Sequence, residues 1–222
     1  MSVLLEREIG KKALLMGNEA LVRGAYGAGL DYASCYPGTP SSEVSNLLYE
    51  LQGAGGFRMD FATNEKVAME AVAGASMGGL NCLTAMKHVG LNVASDPLGT
   101  LTYLGVRGSL VVYSADDPSM FSSQNEQDNR QYARLFGLPC FEPATAQEMK
   151  DMTVAAFALS AQMGMPGRLP AWRTAAAWWS LATSVPRPGR ATMKRITRSC
   201  RCRAMPCAIT SVWSSVCAAW FR

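Results

Sequence analysis

The sequence predicts an α/β fold in which a parallel sheet is covered by helices on both faces. Short apolar segments alternate with segments of helical periodicity over about 165 residues, the pattern of repeated strand–helix units. Residues 108–114 are apolar in succession at their centre, as expected of a strand buried on both faces. Polar or glycine-containing segments follow several of the strands, and in a parallel sheet such segments meet at one edge.

The predicted elements follow from periodicity and from the residues that interrupt it. Strands are expected at 32–36, 57–63, 81–86, 108–114 and 139–142. Helices are expected at 19–28, 41–52, 64–79, 93–103, 125–136 and 145–163. Small residues on one face of the first helix, among them Gly24, favour close packing against a neighbour. Residues 87–92 are interpreted as a loop, and the Ala- and Gly-rich third helix is expected to be packed on most sides.

Composition divides the chain into two parts. Residues 1–166 contain 17 acidic and 11 basic residues, whereas residues 167–222 contain ten basic residues and no acidic residue. We therefore expect a folded domain over 1–166 and a separate tail over 167–222. No apolar run is long enough to span a membrane, and the N-terminus lacks the pattern of a secretory signal. The three widely spaced cysteines of the first part fit a reduced, cytoplasmic protein.

Several side chains that follow the predicted strands are candidates for a site. Glu65 stands where a strand leads into a helix, a position at which the helix dipole favours an acid without any catalytic role. His88 is the single histidine of the chain, next to Lys87; it is either structural or able to move protons. A group of amide and guanidinium side chains suits either a capped helix start or a contact with substrate or a subunit: Gln124, Asn125, Gln127, Asn129 and Arg130. Asn92 and Asp96 are further candidates.

These segments resemble the alpha subunit of indolepyruvate ferredoxin oxidoreductase. The matching motifs, in chain order, are LMGNEA at 15–20, YPGTPSSE at 36–43, TNEKVA at 63–68, MKHVGLNVASDP at 86–97, ADDP at 115–118 and SSQNEQDNR at 122–130. The resemblance ends near Pro166. It implies that residues 1–166 form the domain that binds the pyrimidine ring of thiamine diphosphate.

The resemblance implies a catalytic role for one acid. In such enzymes a carboxylate hydrogen-bonded to the pyrimidine drives it to the imino form, whose nitrogen removes the proton of the thiazolium carbon. In related oxidoreductases this acid lies nine residues before the Gly of a Gly-Ala pair. Glu65 precedes Gly74-Ala75 by that spacing. Glu65 is therefore expected to be catalytic and to bind the cofactor.

The resemblance also implies contacts with the cofactor and the substrate. The turn Pro37-Gly38-Thr39-Pro40 resembles a Tyr-Pro-x-Thr-Pro turn whose threonine hydroxyl faces both ligands. Gly38 and Thr39 are thus expected to bind the cofactor, Thr39 to bind the substrate as well, and His88 to be catalytic. The remaining residues expected at the substrate are Lys87, His88, Asn92, Gln124, Asn125 and Arg130.

The implied function is oxidative decarboxylation of an arylpyruvate, preferably indolepyruvate, with coenzyme A, ferredoxin and a beta subunit. The alternatives are another 2-oxoacid or a non-catalytic binding role. Residues 1–166 lack the Gly-Asp-Gly segment that holds Mg²⁺ and the diphosphate, and the cysteine run of iron–sulfur clusters. No metal ligand is expected in this chain, because these groups would come from a missing segment or a partner. Because the chain would hold only the pyrimidine side of the cofactor site, we expect it to be inactive alone.

The tail departs from the family, which would continue after Pro166 with a strand. All five tryptophans and four of the seven cysteines lie in this tail. Basic and aromatic residues would suit nucleic acid, and cysteines a metal, although their spacing fits no common zinc or cluster site. We favour a shift of reading frame near residue 167, with truncation at Arg222, no stable fold and no nucleic-acid partner. Read from the third base of each codon, residues 171–180 can encode Leu-Ala-His-Gly-Gly-Gly-Met-Val-Val, close to the family sequence.

Overall fold

The computed structural model describes residues 3–6, 12–121, 123–171 and 177–180. For residues 3, 168–171 and 177–180 the description is limited to the backbone. All of these residues belong to Met1–Arg187, one of two units into which the chain divides. The predicted tail lies outside the described residues, apart from the segments 167–171 and 177–180, and the domain boundary at 166 stays a prediction.

Within the described residues the chain forms one parallel sheet and one antiparallel pair of strands. The strands are β1 Lys12–Leu15, β2 Tyr32–Cys35, β3 Arg58–Phe61, β4 Asn81–Lys87, β5 Ser109–Ala115, β6 Gly167–Ala171 and β7 Ala177–Ser180. The parallel sheet has the order β3-β2-β4-β5-β6, and β1 pairs with β7. Each neighbouring pair in the larger sheet is parallel. The predicted α/β fold class is confirmed.

Helices cover both faces of the parallel sheet. They are α1 Gly17–Gly27, α2 Ser42–Gly55, α3 Glu65–Met77, α4 His88–Leu104, α5 Arg130–Phe136 and α6 Ala146–Met163. One hydrophobic cluster joins α1, α2 and α6 to the sheet, and a second joins α3, α4 and α5 to it. None of the helices in the described ranges is long and apolar enough to cross a membrane.

The central strand β5 supplies both clusters. All of its residues are buried. Because successive side chains of a strand point to opposite faces, Val111 and Tyr113 pack into the first cluster, and Leu110 and Val112 into the second. The expectation of a strand buried on both faces is confirmed.

The packing of α1 against α6 depends on Gly24. A Cβ placed on Gly24 would lie 2.7 Å from the backbone oxygen of Lys150 and 2.8 Å from Cβ of Thr153. The backbones of the two helices therefore approach more closely than a side chain at this position would allow. This confirms the close packing predicted from the small residues of α1.

Two predictions around the site were wrong about where helices begin. Residues 87–92 are not a loop, because Lys87 ends β4 and α4 begins directly at His88. The expected loop contains Gly90, but glycine is tolerated in the first turn of a helix. Residues 125–129 are not helical, since α5 begins at Arg130. Their amide side chains bond to neighbouring elements instead.

Two further predictions were wrong away from that edge. The strand expected at 139–142 is reduced to a single bridging residue, Cys140. The third helix, α3, buries only one face: Gly74 is exposed, and a Cβ added there would meet nothing within 4 Å.

Candidate functional site

Four of the segments singled out in the sequence gather at the carboxyl edge of the parallel sheet. The turn 36–41 follows β2, Glu65 follows β3, His88 follows β4, and residues 116–129 follow β5. Because neighbouring strands of the sheet run in parallel, their carboxyl ends lie on the same side. The contacts described below join these segments into one candidate site.

Glu65 is the first residue of α3, and its position is fixed by a cap. The Asn64 side chain accepts a hydrogen bond of 2.9 Å from the backbone N–H of Val67, which starts the helix at this point. Glu65 is only 8% exposed. Within the described residues no hydrogen bond or ion pair reaches its carboxylate. The carboxylate oxygens are not fully buried, so they stay open to a donor from outside the chain.

The neighbour of this carboxylate is Gly90, the third residue of α4. A Cβ built on Gly90 would lie 2.6 Å from Oε1 of Glu65. The acid therefore lies beside the N-termini of two helices, its own and α4. Unpaired N–H groups at helix N-termini carry partial positive charge and favour a negatively charged side chain.

His88 is the first residue of α4 and is completely buried. Its Nε2 lies 2.9 Å from the backbone oxygen and 3.1 Å from Oδ1 of Asn125. A backbone oxygen only accepts, so Nε2–H donates and the neutral ring leaves its lone pair on Nδ1. Nδ1 is buried, and among the described residues it has no hydrogen-bond partner.

Residues 123–129 lie across the beginning of α4 and are held by amides; we call them the strap. The buried Asn129 side chain donates to the backbone oxygen of His88 at 3.1 Å and to Oγ of Ser114 at 2.7 Å. Gln127 and Asn92 exchange hydrogen bonds of 2.7 and 2.9 Å. Lys87 Nζ donates to Oε1 of Gln124 at 3.4 Å. Sequence reasoning placed Asn129 in an amide cluster but did not foresee that it links β5 to α4.

The turn after β2 brings Gly38 and Thr39 to the same edge. The Ser41 hydroxyl donates to the Gly38 backbone oxygen at 2.7 Å, which closes the turn. A Cβ on Gly38 would lie 3.1 Å from Cγ of Lys87, so this turn borders the end of β4. Thr39 is exposed, and its peptide bond to Pro40 is cis.

Asn18, at the start of α1, connects this turn to the core. Its side chain donates to the Pro40 backbone oxygen at 3.1 Å and to Oε2 of Glu43 at 2.7 Å. The Tyr113 hydroxyl donates to Oδ1 of Asn18 at 2.6 Å, and burial raises the pKa of Tyr113, which keeps the hydroxyl protonated. Neither residue was a candidate in the sequence. The only signal was that Asn18 lies within the LMGNEA motif.

Two of the predicted side chains lie at the surface in ion pairs. Arg130 Nε lies 2.8 Å from Oδ1 of Asp128, and its NH1 lies 3.2 Å from Oε1 of Glu142. The Arg130 guanidinium holds the pKa of Asp128 below its usual value. Asp96 pairs with Lys66 at 2.8 Å. Neither pair contacts Glu65, Thr39 or His88 in the described structure.

Comparisons with known proteins agree with the motifs. The profile of the family described as "Pyruvate flavodoxin/ferredoxin oxidoreductase, thiamine diP-bdg" matches residues 23–170. Indolepyruvate oxidoreductase subunit IorA of Archaeoglobus fulgidus is 50% identical over 161 residues, 71% of this chain and 26% of the relative. The same subunit of Methanothermobacter thermautotrophicus is 52% identical over 163 residues, 73% of this chain and 26% of the relative. The chain thus spans about a quarter of the length of these relatives.

A solved structure agrees with the fold. The 2-oxoglutarate:ferredoxin oxidoreductase from Magnetococcus marinus, with 2-oxoglutarate, coenzyme A and succinyl-CoA bound, superposes with a TM-score of 0.66 and 23% identity. The match covers 76% of this chain and 31% of that chain. At this identity it supports the architecture alone. Since the family profile covers more than half of the sequence, the resemblance predicted from the motifs is confirmed: the chain belongs to the thiamine-diphosphate-binding family of pyruvate flavodoxin/ferredoxin oxidoreductases.

Proposed function

We propose that this chain forms the pyrimidine side of a thiamine-diphosphate site in a 2-oxoacid:ferredoxin oxidoreductase that acts on arylpyruvates, preferably indolepyruvate. Family membership supports the cofactor. The names of the two archaeal relatives, at 50% and 52% identity, support the substrate. The activity is proposed for the longer protein, because the chain spans only part of its relatives. Alone, we expect it to be inactive.

The observation that carries the proposal is the state of Glu65. A buried carboxylate loses hydration, and the loss is costly unless a donor or a cation compensates for it. Glu65 is 8% exposed and has no such partner among the described residues. A bound pyrimidine ring would supply the missing donor. The residues present therefore fit the cofactor on its pyrimidine side.

Glu65 would act by holding one proton in place. Thiamine diphosphate, when bound, supplies a nucleophilic carbon and an electron sink for decarboxylation of a 2-oxoacid. The Glu65 carboxylate would accept a hydrogen bond from a ring N–H, and a negative charge there would favour the proton at that nitrogen. The N-termini of α3 and α4 place partial positive charge beside this side chain.

Thr39, Lys87 and His88 are proposed to meet the substrate, with Gly38 and Thr39 also against the cofactor. The exposed Thr39 hydroxyl can donate to an oxoacid oxygen. Lys87 Nζ contacts a neutral amide oxygen at 3.4 Å, a bond that a substrate carboxylate would exceed in strength. The unpartnered Nδ1 of His88 can accept a proton during the reaction.

The other predicted substrate residues are proposed to form the rim of the pocket or a subunit contact. Asn125 holds His88, whereas Gln124 and Asn92 bond to Lys87 and Gln127 respectively. Arg130 is already paired with Asp128 and Glu142. A subunit contact therefore suits Arg130 better than substrate binding does.

The remaining parts of the enzyme are proposed to lie outside this chain. Mg²⁺ and the site for the diphosphate would come from a further segment or from a partner, as would the iron–sulfur clusters. The proposed partners are a beta subunit, ferredoxin and coenzyme A, in the cytoplasm. The cysteines and basic residues of the predicted tail, 167–222, have no part in this proposal.

The test is substitution of Glu65 in the full-length holoenzyme that carries this segment. Glu65→Gln keeps the shape of the side chain but removes its charge. We expect kcat for indolepyruvate-dependent viologen reduction to fall by about 10²- to 10⁴-fold. The matched control is Glu70→Gln, an exposed acid of the same helix, which should stay within about twofold.

Two outcomes would contradict the proposal. Near-normal turnover by Glu65→Gln would remove Glu65 from the catalytic role. A higher kcat/KM of the unsubstituted holoenzyme for 2-oxoglutarate than for indolepyruvate would exclude the substrate class while leaving the cofactor site in place.

A further inference from the structure

We infer that Gly90 is a positioning residue for Glu65: the missing side chain at this turn of α4 leaves the space in which the carboxylate lies. The inference rests on the proposed function, because it concerns the same acid. It extends that function to a residue on a different helix which contacts neither substrate nor cofactor in the proposal.

The first argument is steric. A Cβ on Gly90 would lie 2.6 Å from Oε1, 2.7 Å from Cγ and 2.9 Å from Cδ of Glu65. Nonbonded carbon and oxygen atoms require well over 3 Å, so a methyl group here excludes the present position of the carboxylate. The three heavy atoms nearest to the added Cβ all belong to Glu65. A substitution at Gly90 therefore acts on Glu65 before any other group.

The second argument is conformational. Gly90 lies within α4 and is absent from the glycines with positive φ, so its backbone does not need glycine. Glycine also lowers helix stability relative to alanine, because it loses more conformational freedom on folding. Glycine is therefore needed at position 90 for the space it leaves to the Glu65 carboxylate, and not for its backbone conformation.

The third argument is that the displaced group can move. The end of a glutamate side chain rotates without any shift of the backbone. Alanine at position 90 should therefore leave α4 intact and turn Glu65 to another rotamer. Helix α4 would keep its stability, whereas the Glu65 carboxylate would no longer point to its present position. Thermal stability and activity measure these two effects separately.

Gly74 provides a matched control. It is also a helical glycine, it lies in α3 on the same helix as Glu65, and a Cβ added there would meet nothing within 4 Å. Gly74→Ala and Gly90→Ala thus make the same chemical change and differ in whether the new methyl group reaches Glu65.

The experiment compares Gly90→Ala, Gly74→Ala, Glu65→Gln and the double variant Glu65→Gln/Gly90→Ala in the full-length holoenzyme. We expect neither alanine variant to lower the Tm of the parent, because alanine favours a helix over glycine. Gly90→Ala should lower kcat by about tenfold or more, whereas Gly74→Ala stays within about twofold. The dissociation constant of thiamine diphosphate, measured by calorimetry on apoenzyme, should rise in Gly90→Ala. It should not rise further when Gly90→Ala is added to Glu65→Gln.

The outcomes separate this inference from the proposed function. Full activity of Glu65→Gln would refute the function. An inactive Glu65→Gln beside a fully active Gly90→Ala would refute the role of Gly90 alone, and so would additive losses in the double variant. If Gly90→Ala lowers Tm, Glu65→Ala/Gly90→Ala should restore it, because the clashing atoms are gone. A deficit that persists in that variant would overturn the inference.

Discussion

Glu65 and Asn129 are buried polar side chains at the same edge of the sheet, and they differ in how their hydrogen bonds are satisfied. Asn129 is fully buried and donates to His88 and Ser114. Glu65 is 8% exposed and has no donor in the described structure. The first arrangement stabilises the fold, whereas the second leaves acceptor oxygens open, as the proposed cofactor site would require. The comparison separates a polar group whose hydrogen bonds are made within the fold from one whose acceptors stay open.

The largest effect is expected when the hydrogen bonds donated by Asn129 are removed. Asn129→Asp replaces the donating amide with acceptor oxygens that face the His88 oxygen. We expect the free energy of unfolding to fall by about 1–3 kcal/mol, because a buried hydrogen bond is lost and a charge is buried. Urea denaturation measures the change. The control Asn46→Asp, on the exposed side of α2, should be close to neutral. A variant at 129 as stable as this control would mean that Asn129 does not hold the strap.

At Glu65 we expect a smaller change in stability, and in the opposite direction. Glu65→Gln should raise the unfolding free energy of the apoprotein by about 1 kcal/mol, since an amide loses less hydration on burial than a carboxylate does. The thermal midpoint without cofactor checks this against Glu70→Gln, which should show no gain. A lower midpoint would reveal that Glu65 has a partner in the apoprotein and that the contrast with Asn129 does not hold.

The smallest effect is expected outside the buried groups, at Asp128 and Arg130. The pKa of Asp128 is lowered by Arg130, so its contribution to stability is present above the ordinary aspartate pKa, about 3.9, and is lost as pH falls through the lower folded value. Asp128→Asn should therefore lower Tm slightly at pH 7 and converge with the parent in acid. High salt should shrink the difference, because the pair is exposed. A difference that widens as pH falls would contradict the linkage.

The sheet and the location of the site could be predicted because they follow from periodicity along the chain. Strand–helix alternation implies parallel strands, and parallel strands bring the segments after β2, β3, β4 and β5 to one edge. The start of α4 could not be predicted, because Gly90 carries the local signal of a break. The space it leaves is occupied by Glu65, a side chain from another element that the local sequence does not reveal. Likewise, the amides of 125–129 have the composition of a helix start, and only their bonds to His88, Asn92 and Ser114 decide otherwise.

The order of strands has a consequence for self-association. Within the described residues the parallel sheet ends on β3 at one side and on β6 at the other. An open edge invites a strand from another molecule, and natural sheets discourage this with charges and prolines. Strand β3 carries the exposed Arg58 and Asp60, joined at 3.0 Å, while β6 contains Pro170, which has no N–H to offer. Both edge strands are therefore poor templates for pairing with a strand of another molecule. They are also short, with four residues in β3 and five in β6, and this disfavours the growth of fibres.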